Sequence, residues 1–200
     1  MREGKIIIIE GYDGTGKTTL CKRLVEEFDG VYFHCPSGKK PLTKGMYDLF
    51  KDYNDMDETT KLFMILATHV ENIQTMNELK ATGEVVIADR SLLSTYAYQH
   101  INYENFNEIL NRVDFPTLNV DDALILTASI ETLQERLLGR SDNDNLDVYF
   151  MTNLERIMTK YHEHYLDIYP FAHQISTSRK TEEEVYKHAL RVLTNKTRPI

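Results

Sequence analysis

The residues with the clearest chemical content lie near the start of the chain, where the run KIIIIE leads into GYDGTGKTTL, Gly11 to Leu20. Gly11 to Thr18 fits the pattern G-x-x-x-x-G-K-[ST], with a candidate strand before it and a candidate helix after it. Gly11, Gly14 and Gly16 let main-chain amides converge on phosphate oxygens, and the following helix adds the positive end of its dipole. Lys17 would reach the outer phosphates, Thr18 would hold Mg²⁺ through its hydroxyl, and Thr15 and Thr19 complete the cradle. The chemistry is the binding of a nucleoside triphosphate. A plain glycine-rich turn is the alternative, and the full pattern in a strand-to-helix context weighs against it. Asp13 stands out, because a carboxylate aimed at the phosphates themselves would be repelled.

A second constellation is VVIADRSLLSTYAYQ, which carries Asp89 and Arg90 at the end of an apolar run. An aspartate there can position Mg²⁺ or its waters, and an arginine can grip a second phosphate with a bidentate fork. An isolated Asp-Arg pair is most often a surface feature, but at a strand end beside a phosphate loop it gains weight. A guanine-reading N-K-x-D element is lacking, since Asn195-Lys196-Thr197-Arg198 has no aspartate, and no nucleophile-elbow sequence supports a hydrolase.

These residues need a frame. Five β-rich runs recur at Ile6 to Ile9, Val31 to Cys35, Val85 to Ala88, Ala123 to Thr127 and His173 to Ser176. Between them lie helical patterns. Lys17 to Phe28 is the first, and Leu62, Ile65, Leu66, His69, Ile73, Met76 and Leu79 form an apolar stripe ended by Gly83. Glu131 to Leu138 follows a candidate Ser129 cap, a long helix is predicted over Asp147 to Tyr165, and Thr181 with Glu184 has capping-box spacing. Strands alternating with helices predict a parallel five-stranded sheet in a three-layer αβα domain. Ligands on such sheets sit beyond the carboxyl ends of the strands, where both constellations fall.

The 200 residues, 42% of them hydrophobic, suffice for one core, and no repeat or linker divides them, so a single domain over 1–200 is expected. No apolar run approaches the roughly 18 residues of a membrane span, which predicts a cytoplasmic protein with no membrane partner. Cys21 and Cys35 lack metal-ligand spacing and are expected as ordinary thiols. A net charge of -8 argues against general nucleic-acid binding while leaving room for a local anion site.

With these residues in place, the chain resembles the thymidylate kinases. That family opens with an acidic residue and G-x-D-G-x-G-K-[ST]-T, read here as EGYDGTGKTT from Glu10 to Thr19, and its second signature, D-R-x-x-x-S-x-x-A-Y-Q, runs unbroken from Asp89 to Gln99. The resemblance implies an ATP- and Mg²⁺-dependent P-loop kinase of a deoxynucleoside monophosphate, dTMP above all, with a homodimer as the working assembly. It implies that Asp13 faces the acceptor sugar, that Arg90 binds the acceptor phosphate, and that Ser94, Thr95, Tyr98 and Gln99 line the nucleoside pocket, with the Tyr98 ring crowding a 2′-hydroxyl. It assigns Thr18 and Asp89 to the metal, Arg136 and Arg140 to the donor phosphates, and a lid to residues around 139–147. Ser176 to Thr181 would take the adenine. A packing role remains open for Thr95 more than for Tyr98, and Arg136 could equally be a sheet-side packing residue.

Two departures from the family bear on the acceptor. Where members carry an arginine near the proline after the second strand, this chain has HCPSGKKPLTK, with Pro36 present and only Lys39, Lys40 and Lys44 nearby. Lysine supplies charge without the fork. Where members carry an arginine on the helix before the third strand, His69 stands in register, with Thr68 beside it, and a histidine on an apolar stripe is more often a core residue than a ligand. Ile65, or Phe63 nearby, occupies the place of the aromatic that stacks on the base. The alternatives from the residues alone are a deoxynucleoside kinase with Asp89 as general base, a kinase of a base-modified pyrimidine nucleotide, and a non-enzymatic nucleotide switch.

Overall fold

Ile6 and Ile8 point to one side of a sheet and Ile7 and Ile9 to the other, and all four are at most 2% exposed. An unbroken isoleucine run of this kind is what a parallel strand with both faces covered requires. The computed structural model describes residues 3–52, 56–138 and 150–194. Its strands are β1 (Lys5–Gly11), β2 (Val31–His34), β3 (Val85–Asp89), β4 (Asp122–Thr127) and β5 (His173–Ser176), all parallel, in the order β2-β3-β1-β4-β5.

The helices among the described residues are α1 (Lys17–Glu27), α2 (Pro41–Asp52), α3 (Glu58–Ala81), α4 (Leu92–Tyr98), α5 (Tyr103–Arg112), α6 (Ile130–Leu138), α7 (Leu154–Ile168) and α8 (Glu182–Thr194). One core half packs Ile6, Ile8 and Phe33 against Leu62, Leu66 and Met76 of α3, Leu93 of α4, and Ile157 and Tyr161 of α7. The other packs Ile7, Ile9 and Ile87 against Leu20 and Leu24 of α1 and Val185 and Ala189 of α8. This is the three-layer αβα sandwich that the alternating pattern predicts.

Most boundaries follow the sequence signals to within a residue or two. The capping box forms, with Glu184 N donating to Thr181 Oγ1 at 3.2 Å and Thr181 N to Glu184 Oε2 at 2.8 Å. Helices α2, α4 and α5 are not among the helical patterns read from the sequence. In α2, Leu42 and Leu49 stay 60% and 49% exposed, so its apolar positions trace no buried stripe, and α5 buries only Phe106 among its residues. The long helix expected over Asp147 to Tyr165 is interrupted: residues 150–152 are helical, a turn falls at Asn153, and α7 runs from Leu154 to Ile168. The lid around 139–147, with Arg140, lies outside the described residues.

Candidate active site

The register of the central strands brings the two constellations together. Ile9 of β1 pairs with Asp89 of β3, and Arg90 N donates to Ile9 O at 3.0 Å, so the phosphate loop and the Asp-Arg corner leave the sheet side by side. Gly11 must be glycine: its φ is 139°, and a Cβ there would collide with the Leu126 carbonyl oxygen of β4. Gly16, at φ 87°, caps α1 in the left-handed region and aims the helix amides into the loop.

Lys17 is only 6% exposed and donates to Tyr12 O at 2.9 Å, with Asp13 Oδ1 at 3.8 Å. Burial lowers its pKa, Arg90 adds to that effect, and Asp13, Asp89 and Glu10 oppose it. Thr18 Oγ1 donates to Asp89 Oδ2 at 2.7 Å, and Tyr32 OH donates to the same oxygen at 2.9 Å. Beside the loop, a cavity of about 250 Å³ is lined by Gly14, Gly16, Thr19, Arg136, Thr177 and Lys180 among others. Arg136 is fixed at its rim, donating to Gly14 O at 3.0 Å and to Thr177 O at 2.9 Å. It therefore braces the loop against the segment after β5, with its fork already bonded to carbonyl oxygens.

The other side of Asp13 belongs to the second constellation. Arg90 Nη2 pairs with Asp13 Oδ1, Tyr98 OH donates to Asp13 Oδ2 at 2.6 Å, and the Arg90 guanidinium lies 5.1 Å from the centre of the Tyr98 ring. Asp13 thus turns from the loop amides toward Arg90 and Tyr98. Burial opposes the charge on Arg90, but Asp13, Tyr98, Tyr161 and Asp89 together more than offset it and hold the pKa well above the usual value. Burial and then Asp13 push the Tyr98 phenol up, so it remains a donor. Arg90 sits at φ 75°, a backbone region few non-glycine residues occupy.

Beneath this corner lies a residue that sequence reading used only as a motif letter. Glu10 is fully buried and accepts from Ser91 Oγ at 2.6 Å, Ser94 N at 3.1 Å, Ser94 Oγ at 2.6 Å and Tyr161 OH at 2.8 Å. One carboxylate therefore ties β1, α4 and α7 together. The signal for Glu10 is its place before the loop; nothing local marks Tyr32 or Tyr161, whose partners are remote in sequence, whereas Thr177 falls within the stretch Ser176 to Thr181.

The remaining predicted residues divide. Ser94, besides meeting Glu10, accepts from Arg90 Nη1 at 3.3 Å. Thr95 Oγ1 lies 2.8 Å from His69 Nε2, and His69 is 2% exposed with its pKa lowered by burial to about 4. His69 is a neutral core residue that meets α4 through Thr95. Gln99 is buried, and its Oε1 has no hydrogen-bond partner among the described residues. Ile65 is buried in α3, whereas Phe63 is 51% exposed. Pro36 O accepts from Asn72 Nδ2 at 2.7 Å, Lys40 is taken by Glu71 at 2.7 Å, and Lys39 is exposed.

A phosphate loop facing a carboxylate and an arginine across the carboxyl edge of a parallel sheet defines a P-loop nucleotide-dependent phosphotransferase. The comparisons narrow that class. The thymidylate kinase family model matches residues 9–188. A probable thymidylate kinase of Methanocaldococcus jannaschii is 29% identical over 197 residues, covering 98% of each chain, and a thymidylate kinase of Desulfotalea psychrophila is 32% identical over 163 residues, covering 78% of this chain and 79% of its own. The structure of thymidylate kinase from Candida albicans superposes with a TM-score of 0.76 at 19% identity, covering 96% of this chain and 91% of that one. The chain belongs to the thymidylate kinase family.

Proposed function

We propose that the protein transfers the γ-phosphoryl group of ATP to the 5′-phosphate of dTMP, giving ADP and dTDP. The observation that carries this reading is Asp13, whose carboxylate is held between Lys17 of the loop and the Arg90–Tyr98 pair. The loop amides, the start of α1 and Lys17 take the donor phosphates, while Arg90 takes the acceptor phosphate and Tyr98 its sugar. An acceptor phosphate oxygen attacks the γ-phosphorus, the bond from that phosphorus to the β-phosphate oxygen breaks, and the electron pair leaves with ADP. In-line transfer of this kind needs positioning and positive charge more than covalent chemistry, and no residue here is called on to carry the phosphoryl group.

Thr18 and Asp89 fit Mg²⁺, because their oxygens already meet at 2.7 Å and a hard cation of this size is bound by one or two protein oxygens together with phosphate oxygens. When bound, the ion neutralises phosphate charge. The cavity beside Thr19, Arg136 and Lys180 suits the adenosine end of ATP. Gln99 Oε1, a buried acceptor awaiting a donor, suits an N–H of the acceptor base. The exposed apolar side chains Leu42 and Leu49 on α2 and Phe63 on α3 support a homodimer through the outer helices, and Arg140 remains the lid arginine expected from the family resemblance. The setting we propose is the cytoplasm.

A panel of monophosphates and nucleosides, each with ATP and Mg²⁺ and scored for ADP release, tests the reading. Signal with dTMP above all other acceptors is expected. Signal with thymidine and none with dTMP would overturn it.

A further inference from the structure

Helix α4 carries Ser94, Thr95 and Tyr98, yet it has only seven residues, far below the ~12 to 15 that even a strong helix former needs in isolation. It must be held from outside. Its start is fixed by Ser91, which accepts from Leu93 N at 3.3 Å and donates to Glu10. Its end has no glycine to turn the chain back on the last carbonyls; Gln99 follows in an extended conformation.

Two cations from α7 do that work. Lys160 Nζ donates to Tyr96 O at 3.2 Å, to Gln99 O at 2.8 Å and to Ile101 O, matching three N–H donors to three carbonyls. Arg156, one turn earlier on the same face, donates to Ala97 O at 3.3 Å, Gln99 O at 3.1 Å and Tyr98 O at 3.4 Å. Every carbonyl from Tyr96 to Gln99 is thereby met by positive charge at the negative end of the helix. Lys160 also lies 4.4 Å from the centre of the buried Tyr96 ring. Holding an ammonium there has a cost, since burial and then Arg156 lower its pKa to about 8.

We propose that Lys160 is a positioning residue for the acceptor pocket, fixing the last turn of α4 so that Tyr98 meets Asp13 and Gln99 presents its amide to the nucleoside. The inference rests on the kinase reading above. The carbonyls that Lys160 meets all lie between Tyr96 and Ile101, outside the loop from Gly11 to Thr19, so its influence is directed at the acceptor side.

The test is steady-state kinetics of the full-length wild type, Lys160→Met and Lys160→Arg, with dTMP and ATP varied separately and the melting temperature recorded for each. Lys160→Met is expected to raise KM for dTMP about tenfold, the worth of a charge-assisted bond set, with KM for ATP within about twofold, and Lys160→Arg to recover most of the loss. Equal changes in both KM values, an unchanged KM for dTMP, or a lowered melting temperature with normal kinetics would overturn the proposal. Should Lys160→Met fail to fold, Lys160→Gln is measured against the same ratios. A wild type that turns over no deoxynucleoside monophosphate would instead remove the kinase reading, and this inference with it.

Discussion

The donor and acceptor ends of the site are built by different means. At the donor end the main chain does most of the recognition, through left-handed glycines and the start of α1, and the residues responsible lie within one stretch from Gly11 to Thr19. At the acceptor end side chains do it, and they are held by other side chains far away in sequence: Tyr161 meets Glu10 across 151 residues and Arg90 meets Asp13 across 77. A phosphate cradle of backbone amides is fixed by conformation, so its sequence must be fixed too. A pocket of side chains needs only a network that closes, and many sequences close one.

This contrast is open to attack by substitution. The largest effects are expected where the two ends meet: Lys17→Ala and Arg90→Ala should each lower kcat/KM by about 10³-fold, as loss of a cation from phosphoryl transfer does. Arg90→Ala should keep ATP affinity within about twofold, measured by calorimetry. If ATP binding were lost as well, the two ends would not be separable. Glu10→Gln comes next, and it acts on the fold: an amide cannot accept from all the donors that converge on Glu10, so urea unfolding should show a loss of about 2 kcal/mol.

Tyr98→Phe removes the bond to Asp13 and should raise KM for dTMP about tenfold without moving KM for ATP. His69 gives a pH signature in the stability of the fold. Its folded pKa of about 4 lies below the roughly 6.5 of an unfolded histidine, so between those values the unfolded chain binds more protons. Its contribution to stability is complete above about pH 6.5 and falls as the pH drops toward 4, with about 1 kcal/mol gone by pH 5.5, and His69→Gln should flatten that part of the profile. The smallest effect is expected for Arg136→Met, about threefold in KM for ATP and none for dTMP, because Arg136 braces the donor cavity through carbonyls. A shift in the dTMP value would break the division.

The same division explains what could be read without coordinates. KIIIIE followed by the glycine pattern located β1, the loop and α1, because each depends on near neighbours. Asp89 and Arg90 were found by their place at a strand end. His69 was legible as a member of an apolar stripe, and its bond to Thr95 was not, since it spans 26 residues. Helix α2 is hidden because Leu42 and Leu49 face outward, and nothing in the sequence marks the Lys160 and Arg156 pair, its partners being main-chain carbonyls that no side-chain pattern reveals.

The left-handed backbone of Arg90 sets durability against turnover. At φ 75° a residue with a Cβ gives up on the order of 1 kcal/mol that glycine would not, so the chain is slightly weakened where its guanidinium matters most. The ion pair with Asp13 and the bond to Ser94 hold the residue there against that strain, so glycine would relax the backbone and take the cation away from the Asp13 carboxylate.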